Sequence, residues 1–330
     1  MAAQFSSKHI VTSRLAALLV SLAMLAGQGA VTQASADVSL VRSGYTHEAL
    51  FGIVLEGDHG YAVGMPGLVL RTADQGKTWQ PEDMINDGLA LLAVTMSGDH
   101  AITVGQGGHI FKRTGKAAWT QVESGSKERL LAVDMNASGL AVAAGGFGTI
   151  LLSRDYGATW ASVAPSWAGI GKDDAEPHIN DVKISASGTI TIVGEFGLVM
   201  RSQNEGRDWS ILHRGEETLF GLFMTKDGHG AAAGQDGTVL ISDGWTSDWR
   251  EVATGRPENL LDIWVGEDGR MVATGIRTLL ISNNWGSNWA VVDLKDIATG
   301  WYEGVAASGD GPQAVPLAVG YDARILKVGK

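Results

Sequence analysis

Cysteine is absent from the 330-residue chain, so neither disulfides nor thiolate metal ligands can contribute to its stability. Basic residues are also in deficit: 25 Lys and Arg stand against 36 Asp and Glu, which gives a formal net charge of -11. A surplus of negative charge repels phosphate groups, so nucleic acid and anionic membranes are not expected as general partners. The fold must therefore depend on buried apolar surface and hydrogen bonds.

Long apolar runs are confined to the N-terminus. Arg14 precedes an apolar run over residues 15–26, and Ala34-Ser35-Ala36 follows. This order is typical of a secretory signal peptide, whereas a membrane-spanning helix needs roughly 20 apolar residues. We expect residues 1–36 to be a signal peptide cleaved near Ala36, and residues 37–330 to be a single domain that is periplasmic or otherwise exported.

A repeat of 40 to 49 residues organises the rest of the chain. Its seven copies begin at Leu50, Leu91, Leu130, Ile179, Leu219, Leu260 and Trp301. Each copy gives an alternating apolar run, a polar turn, a second run and a Gly-centred turn, and the alternation of period two indicates β-strands. Four short antiparallel strands in each copy are typical of propeller blades. The sequence therefore predicts an all-β fold, a seven-bladed β-propeller of four-stranded antiparallel blades.

The seventh copy lacks a fourth strand, because the sequence ends soon after its third strand at residues 323–328. A strand-like segment at residues 38–41 precedes the first copy and has no other place in the repeat. We expect this segment to complete the last blade and so remove unpaired strand edges.

Four copies carry the motif S/T-x-D/N-x-G-x-x-W before the fourth strand. Its acceptors are Asp74, Asp155, Asn204 and Asn284, its glycines are Gly76, Gly157, Gly206 and Gly286, and its tryptophans are Trp79, Trp160, Trp209 and Trp289. The acceptors suit backbone N–H groups within the turn, the glycines suit unusual dihedral angles, and each Trp suits the edge of a blade. The motif therefore indicates structure and says little about catalysis.

These residues resemble the Asp-box (BNR) repeats, and residues 63–79, VGMPGLVLRTADQGKTW, are similar to the Ycf48/Hcf136 family of photosystem II assembly factors and its bacterial relatives. The resemblance covers nearly all of residues 37–330. It implies a seven-bladed, non-enzymatic propeller in the lumen or periplasm that holds a newly made membrane subunit. We therefore expect a protein-binding scaffold or assembly factor for an envelope membrane complex. The acidic composition departs from a dedicated basic docking surface, so the photosystem role is not carried over.

Two sets of residues are candidates for partner binding. Residues 165–177, PSWAGIGKDDAEP, are an insertion between the third and fourth copies, and such insertions fall in surface loops that often bind partners. We expect Trp167 to be its exposed aromatic side chain, and the charged candidates are Lys172, Asp173, Asp174 and Glu176. The second set, a basic surface of the family type, is Arg71, Arg113, Arg154 and Arg201. A tolerated loop without a partner is the alternative for the insertion.

Carboxylates in the innermost strands leave an enzymatic alternative open. The third positions of those strands are Gly52, Ala93, Ala132, Asp181, Gly221, Asp262 and Glu303. A glycoside hydrolase, sialidase-like or glucanase-like, would use a pair of such acids, whereas a structural role would make them solvated channel residues or caps to neighbouring backbone. The F/Y-R-I-P motif of sialidases is missing. A glycan-binding propeller is a third possibility and would need a row of exposed tryptophans.

No cofactor or metal site is indicated by the remaining polar residues. The histidines are scattered in turns and show no H-x-x-x-H spacing. The G-x-x-G segments recur between strands and do not precede a helix, so they do not form a phosphate-binding loop.

Overall fold

Two strands precede the repeats in the computed structural model, which describes residues 32–34, 37–84, 87–170, 175–244, 248–309 and 311–329. β1 (Thr32–Ala34) lies parallel to the outermost strand of the sixth blade, and β2 (Val38–Arg42) belongs to the seventh. Most of the predicted signal peptide lies outside the described residues. Within the described ranges, no helix has the length and apolar character needed to cross a membrane.

The predicted fold class is confirmed, because the repeats form seven antiparallel sheets around a central channel. Blade 1 contains β3 (Ala49–Glu56), β4 (His59–Met65), β5 (Val69–Thr72) and β6 (Gln80–Pro81). Blade 2 contains β7 (Leu91–Ser97), β8 (His100–Gly105), β9 (Ile110–Thr114) and β10 (Thr120–Val122). Blade 3 contains β11 (Leu130–Met135), β12 (Ala141–Gly145), β13 (Ile150–Ser153) and β14 (Ala161–Ser162).

The remaining four blades repeat the same order from the channel outwards. Blade 4 contains β15 (Ile179–Ile184), β16 (Ile190–Gly194), β17 (Val199–Ser202) and β18 (Ser210–His213). Blade 5 contains β19 (Leu219–Met224), β20 (Gly230–Gly234), β21 (Val239–Ser242) and β22 (Arg250–Val252). Blade 6 contains β23 (Leu260–Val265), β24 (Met271–Gly275), β25 (Leu279–Ser282) and β26 (Ala290–Val292). Blade 7 contains β27 (Tyr302–Ala306), β28 (Leu317–Gly320), β29 (Ile325–Val328) and β2.

The described helical segments are short. Gln106–Gly108 and Gln235–Gly237 are single 3₁₀ turns between the second and third strands of blades 2 and 5. The helix α1 (Lys295–Thr299) lies in the connection from blade 6 to blade 7. Regular structure in the described part of the chain is therefore almost entirely β.

Apolar packing occurs between the blades. The described residues form seven hydrophobic clusters, and each cluster joins two neighbouring blades around the ring. The second strands lie between two such clusters, and in β12 and β20 every residue is buried. The small Ala and Gly residues of β12 and β20 leave room for the larger side chains of the adjacent blades. Each blade therefore depends on both neighbours for its burial.

The recurring glycine at the end of each second strand follows from close backbone contact. A Cβ atom added to Gly64 would lie 1.7 Å from the carbonyl oxygen of Ala49, and one added to Gly320 would lie 2.1 Å from that of Trp301. No side chain fits at such distances. The regular glycine spacing in the sequence therefore marks the point where the first strand of a blade crosses the end of its second.

The seventh copy begins one residue later than the sequence alignment predicts. In blade 1 the first residue, Leu50, pairs with Gly64, and the equivalent pair in blade 7 is Tyr302 with Gly320. The assignment of Trp301 to this position is therefore wrong. Trp301 instead stacks on Phe51, with 5.8 Å between the ring centroids. Trp301 and Tyr302 are both aromatic, so the alternation of apolar residues in the sequence could not show which of them begins the strand.

The last blade joins the two ends of the described chain. β2 pairs antiparallel with β29, with Val38 opposite Val328 and Leu40 opposite Leu326. Arg42 Nη1 also donates to the carbonyl oxygen of Ala323 at 2.7 Å. These contacts supply the fourth strand of blade 7 from a segment that precedes blade 1.

The S/T-x-D/N-x-G-x-x-W turns share one hydrogen-bond pattern. The D/N side chain accepts the backbone N–H four residues later, at 2.9 Å in each of the four copies. The hydroxyl that opens the motif accepts the N–H of the motif glycine at 2.8 to 3.0 Å. In three copies the Trp Nε1 donates to the carbonyl oxygen of that glycine, as Trp79 does to Gly76 at 3.0 Å. The hydrogen bonds to Asp74 and Asp155 lower the pKa of both carboxyls to about 2.

The alternating strand directions divide the connections between two faces of the ring. The upper face carries the turns between second and third strands and the connections from one blade to the next. The lower face carries the turns between first and second strands and the S/T-x-D/N-x-G-x-x-W turns. The described residues of the insertion, 165–170 and 175–177, lie between blade 3 and blade 4 and therefore belong to the upper face.

We expect removal of residues 1–42 to lower the midpoint of thermal unfolding by several degrees and to promote aggregation, because β29 would become an exposed edge. A chain that starts at Asp37 is the matched control and should keep its stability. Differential scanning calorimetry with light scattering measures both effects. Equal unfolding midpoints for the two chains would show that β2 is not needed to close the ring.

Candidate functional site

A ring of seven side chains lines the upper end of the channel. In each innermost strand the register shifts after the first pair, and the extra residue faces the channel. These residues, which we call the mouth ring, are Phe51, Leu92, Leu131, Asn180, Phe220, Leu261 and Glu303. Five of them are apolar and two are polar. They border a cavity of about 200 Å³.

The next residue in each strand forms a second, narrower ring. Its members are Gly52, Ala93, Ala132, Asp181, Gly221, Asp262 and Gly304. A Cβ atom added to Gly52 would lie 2.9 Å from the Cα atom of Ala93, so small residues follow from the close approach of adjacent strands. Glu303 is therefore not in the same ring as Asp181 and Asp262. That correction follows from the one-residue shift in blade 7.

Three carboxylates in the channel each bind the next blade. Asp181 Oδ2 accepts the backbone N–H of Leu222 at 2.8 Å, and Asp262 Oδ2 accepts that of Val305 at 2.8 Å. Asp134 Oδ2 accepts the N–H of Ile184, also at 2.8 Å. Asp181 and Asp262 thus act as caps to neighbouring backbone, which is the structural alternative to a glycosidase pair. Asp134 was missed in the sequence, although it is an acid within an otherwise apolar strand.

Lys183 balances part of this negative charge. Its Nζ atom lies 2.9 Å from both carboxylate oxygens of Asp181. Burial opposes its charge, but Asp181, Asp134 and Asp262 raise the pKa of Lys183 above its ordinary value. Burial, and then repulsion by Asp181, raises the pKa of Asp262 to about 7. The three carboxylates and Lys183 form one electrostatic network that joins blades 3, 4 and 6 across the channel.

Glu303 stands apart from that network. No described residue donates a hydrogen bond to its carboxyl group, and its ring neighbours Phe51 and Leu261 are apolar. Protein surrounds the side chain on nearly all sides while part of its surface opens to the channel, and this burial raises its pKa to about 7. Glu303 is therefore a channel carboxyl that the fold does not use.

A groove on the upper face opens into the channel. This cavity, which we call the upper groove, has a volume of about 740 Å³. Its lining includes Leu89, Gln106, Arg129, Phe147, His178 and Glu195. Leu131, Asn180 and Phe220 line both the groove and the channel, so the two cavities are continuous. The groove combines apolar side chains with charged groups of both signs.

Phe147 is the most exposed aromatic ring of the groove, with 60% of its surface accessible. Its φ angle of 50° lies in the left-handed region, which is unusual for a large side chain. It is tilted against His178 with 5.0 Å between the ring centroids. Phe147 could not be singled out from the sequence, because it occupies a variable position of the G-x-x-G turn.

Most exposed apolar side chains of the described chain share this face. Nine large apolar side chains of the described residues are exposed. Five of them lie in upper-face turns or connections or at the strand end beside such a turn, namely Tyr45, Met65, Leu89, Phe147 and Ile276. Trp285 and Val315 lie on the lower face, and the other two belong to outer strands. Apolar surface that remains exposed is typical of sites that bind a partner. The upper face is therefore the candidate contact surface.

Trp167 does not have the exposure that the sequence analysis predicts. It is only 6% exposed and packs in the cluster between blades 3 and 4. Its Nε1 donates to the carbonyl oxygen of Gly148 at 3.2 Å, because the insertion folds back over the adjacent turn. The expectation of a surface tryptophan was wrong. Glu176 is exposed, whereas Lys172, Asp173 and Asp174 lie outside the described residues.

The four arginines do not form a basic surface. Arg113 is 6% exposed, forms an ion pair with Glu82 and lies 5.7 Å from the ring centroids of two aromatic side chains. Arg201 is 4% exposed, and its Nε donates to Thr191 Oγ1. Arg154 is exposed but pairs with a glutamate of the next blade on the lower face, and Arg71 is half-buried. The recurring arginine position therefore serves packing in blades 2 and 4.

Aromatic residues on the lower face are used mainly between blades. Tyr156 stacks on His100 at 3.9 Å, and Trp285 is tilted against His229 at 5.1 Å between centroids. Trp285 is the one described tryptophan among the exposed large side chains, at 38%. The described residues therefore show no row of exposed tryptophans of the kind that glycan binding would favour.

We expect Trp167→Ala to reduce the free energy of unfolding by about 3–5 kcal/mol, because it removes a large side chain from a packed cluster. Phe147→Ala changes an exposed ring on the adjacent turn and should stay within about 0.5 kcal/mol of the parent protein. Chemical denaturation of both variants provides the comparison. A small effect of Trp167→Ala would mean that the indole is not part of the core.

The stability of the protein should fall as pH rises from about 5 to about 8, because the folded state keeps protons on Glu303 and Asp262 that the unfolded state has released. Glu303→Gln removes one of these groups and should flatten the profile. We expect the variant to be more stable than the parent by on the order of 1–3 kcal/mol at about pH 8, with a smaller difference at about pH 5. Denaturant unfolding at both pH values measures the difference, and an unchanged profile would contradict the raised pKa.

Comparison with known proteins supports the fold. No protein-family model matches the chain, and no curated protein matches it. A structure of YCF48 bound to D1 peptide is similar with a TM-score of 0.73 and 18% identity, over 91% of this chain and 99% of that one. YCF48 from Cyanidioschyzon merolae gives 0.72 and 18%, over 88% and 98%. The WD40 repeats of RRP9 give 0.70 and 9%, over 91% and 98%. The chain thus has the seven-bladed β-propeller fold that YCF48 and WD40 proteins share.

Proposed function

We propose that residues 37–330 form an exported, non-enzymatic propeller that binds a protein partner through its upper face. In this role the protein is a scaffold or assembly factor for a membrane complex of the cell envelope. The observation that carries the proposal is the upper groove, an open, partly apolar cavity that is continuous with the channel. A concave surface with apolar walls and a few polar groups suits an extended protein segment.

Similarity of fold supports a protein ligand. One of the similar structures is of YCF48 bound to D1 peptide, so a propeller of this shape can hold a peptide. Export is supported by the order of basic, apolar and small residues at the N-terminus. The acidic composition suits a protein partner better than nucleic acid.

The channel carboxylates favour this function over hydrolysis. Two of the three acids considered for a glycosidase, Asp181 and Asp262, accept backbone N–H groups of the next blade. A catalytic pair must instead be free to exchange protons with the substrate on both sides of the scissile bond. Glu303 is the remaining acid, and it lies in a different ring. The geometry therefore favours binding.

A photo-crosslinking amino acid at Phe147 should capture a membrane-complex subunit in the native envelope, whereas the same amino acid at Trp285 on the lower face should not. Both side chains are exposed, so the pair differs mainly in the face that it probes. Mass spectrometry identifies the products, and an N-terminus at Asp37 on the recovered protein would support export. Capture from Trp285 alone, or from neither position, would contradict an upper-face partner.

A further inference from the structure

The mouth ring combines apolar walls with one unpaired acid. Phe51, Leu92, Leu131, Phe220 and Leu261 provide the apolar side chains. Glu303 is the acid, and the described contacts include no cation or hydrogen-bond donor for it. A carboxylate enclosed by apolar side chains is costly unless an opposite charge accompanies it. Glu303 is therefore the group of the ring that a positively charged ligand would stabilise in its ionised form.

The charge of the whole channel has the same sign. Its described lining includes four carboxyl groups, Asp134, Asp181, Asp262 and Glu303, against Lys183 and, at the lower end, Lys226. Lys183 already lies against Asp181. Within the channel, Lys183 is the described cation beside these acids, and it pairs with Asp181 and not with Glu303. The adjoining upper groove carries charges of both signs, Lys127 and Arg129 together with Glu128 and Glu195. The carboxyl group of Glu303 therefore attracts a positive charge locally, at the mouth of the channel.

A second polar group is available on the other side of the ring. Asn180 Nδ2 donates to the carbonyl oxygen of Leu219 at 2.8 Å, which leaves Oδ1 as an acceptor. Asn180 also lines the upper groove, so a segment bound in the groove passes over the entrance to the channel. The groove, the entrance and Glu303 thus follow one another along a continuous surface.

We propose that the mouth ring binds a long cationic side chain, Arg or Lys, that projects from the partner segment held in the upper groove. The alkyl stem contacts the apolar members of the ring, and the charged end pairs with Glu303. This site rests on the proposed function, and it adds the residue type that the partner must present. An alkyl chain that ends in a charge matches apolar walls with an acid beyond them.

The pH dependence of binding follows from the same group. The pKa of Glu303 is raised to about 7 by burial, and the ionised form is the one that attracts a cation. Affinity should therefore increase as pH rises through about 7, with release of a proton at lower pH when the cation binds. Asp262 has a pKa raised into the same range, but its carboxylate oxygens accept N–H groups of Ile263 and Val305. Asp181 and Lys183 also line this part of the channel, and Asp134 lies nearer its lower end. The charged and titratable groups of the adjoining upper groove are Lys127, Glu128, Arg129, His178 and Glu195.

The test uses two pentapeptides, acetyl-Ala-Ala-Arg-Ala-Ala-amide and the same peptide with citrulline, a neutral analogue of arginine. Their dissociation constants are measured by NMR titration of the purified protein. We expect the citrulline peptide to bind at least about tenfold more weakly. Glu303→Gln should remove this preference, whereas Glu267→Gln, an equal charge change at an exposed lower-face turn, should keep it.

Equal affinity for the two peptides, no binding of the arginine peptide at millimolar concentration, or an unchanged preference in Glu303→Gln would each overturn the site. Thermal unfolding of both variants shows whether they are folded. If the preference fails while crosslinking at Phe147 still captures a subunit, the cation site is wrong and the proposed function stands. If the arginine preference is present and crosslinking fails, the site stands and the partner does not reach it through the groove.

Discussion

Each blade can bury its faces only against its neighbours, so closure of the ring is the constraint on which the rest of the structure depends. Seven clusters occupy the seven blade interfaces, and an open interface would leave apolar surface of two blades in water. β2 completes the outer edge of blade 7, whose other three strands come from the opposite end of the chain. In this chain without cysteine, strand pairing between β2 and β29 thus closes blade 7 without a covalent bond.

The channel and lower face carry structural contacts, whereas the upper face carries the proposed contact surface. Asp134, Asp181 and Asp262 bind adjacent blades within the channel, and the S/T-x-D/N-x-G-x-x-W turns order the lower face. The upper face keeps exposed apolar side chains such as Phe147 and a groove that leads to the channel. Because exposed turn residues such as Phe147 lie outside the blade interfaces, a binding surface can include them at little cost to the core.

Much of the fold could be predicted from the sequence, because strand alternation and glycine spacing repeat seven times. The details that failed depend on neighbours in space. Trp301 and Tyr302 are both apolar starts for a strand, and only the partner Gly320 selects between them. Trp167 was expected at the surface because insertions usually lie there, yet this one folds over Gly148. Phe147 gave no signal, since it occupies a variable turn position and belongs to no motif.

Amide hydrogen exchange of the protein bound to the proposed membrane partner, compared with the free protein, tests the central claim that the upper face is the contact surface. The account predicts slower exchange in the turns at residues 145–149 and 194–198, which border the upper groove, and little change in the lower-face turns at residues 74–78 and 155–159. Slower exchange confined to the lower-face turns would contradict it.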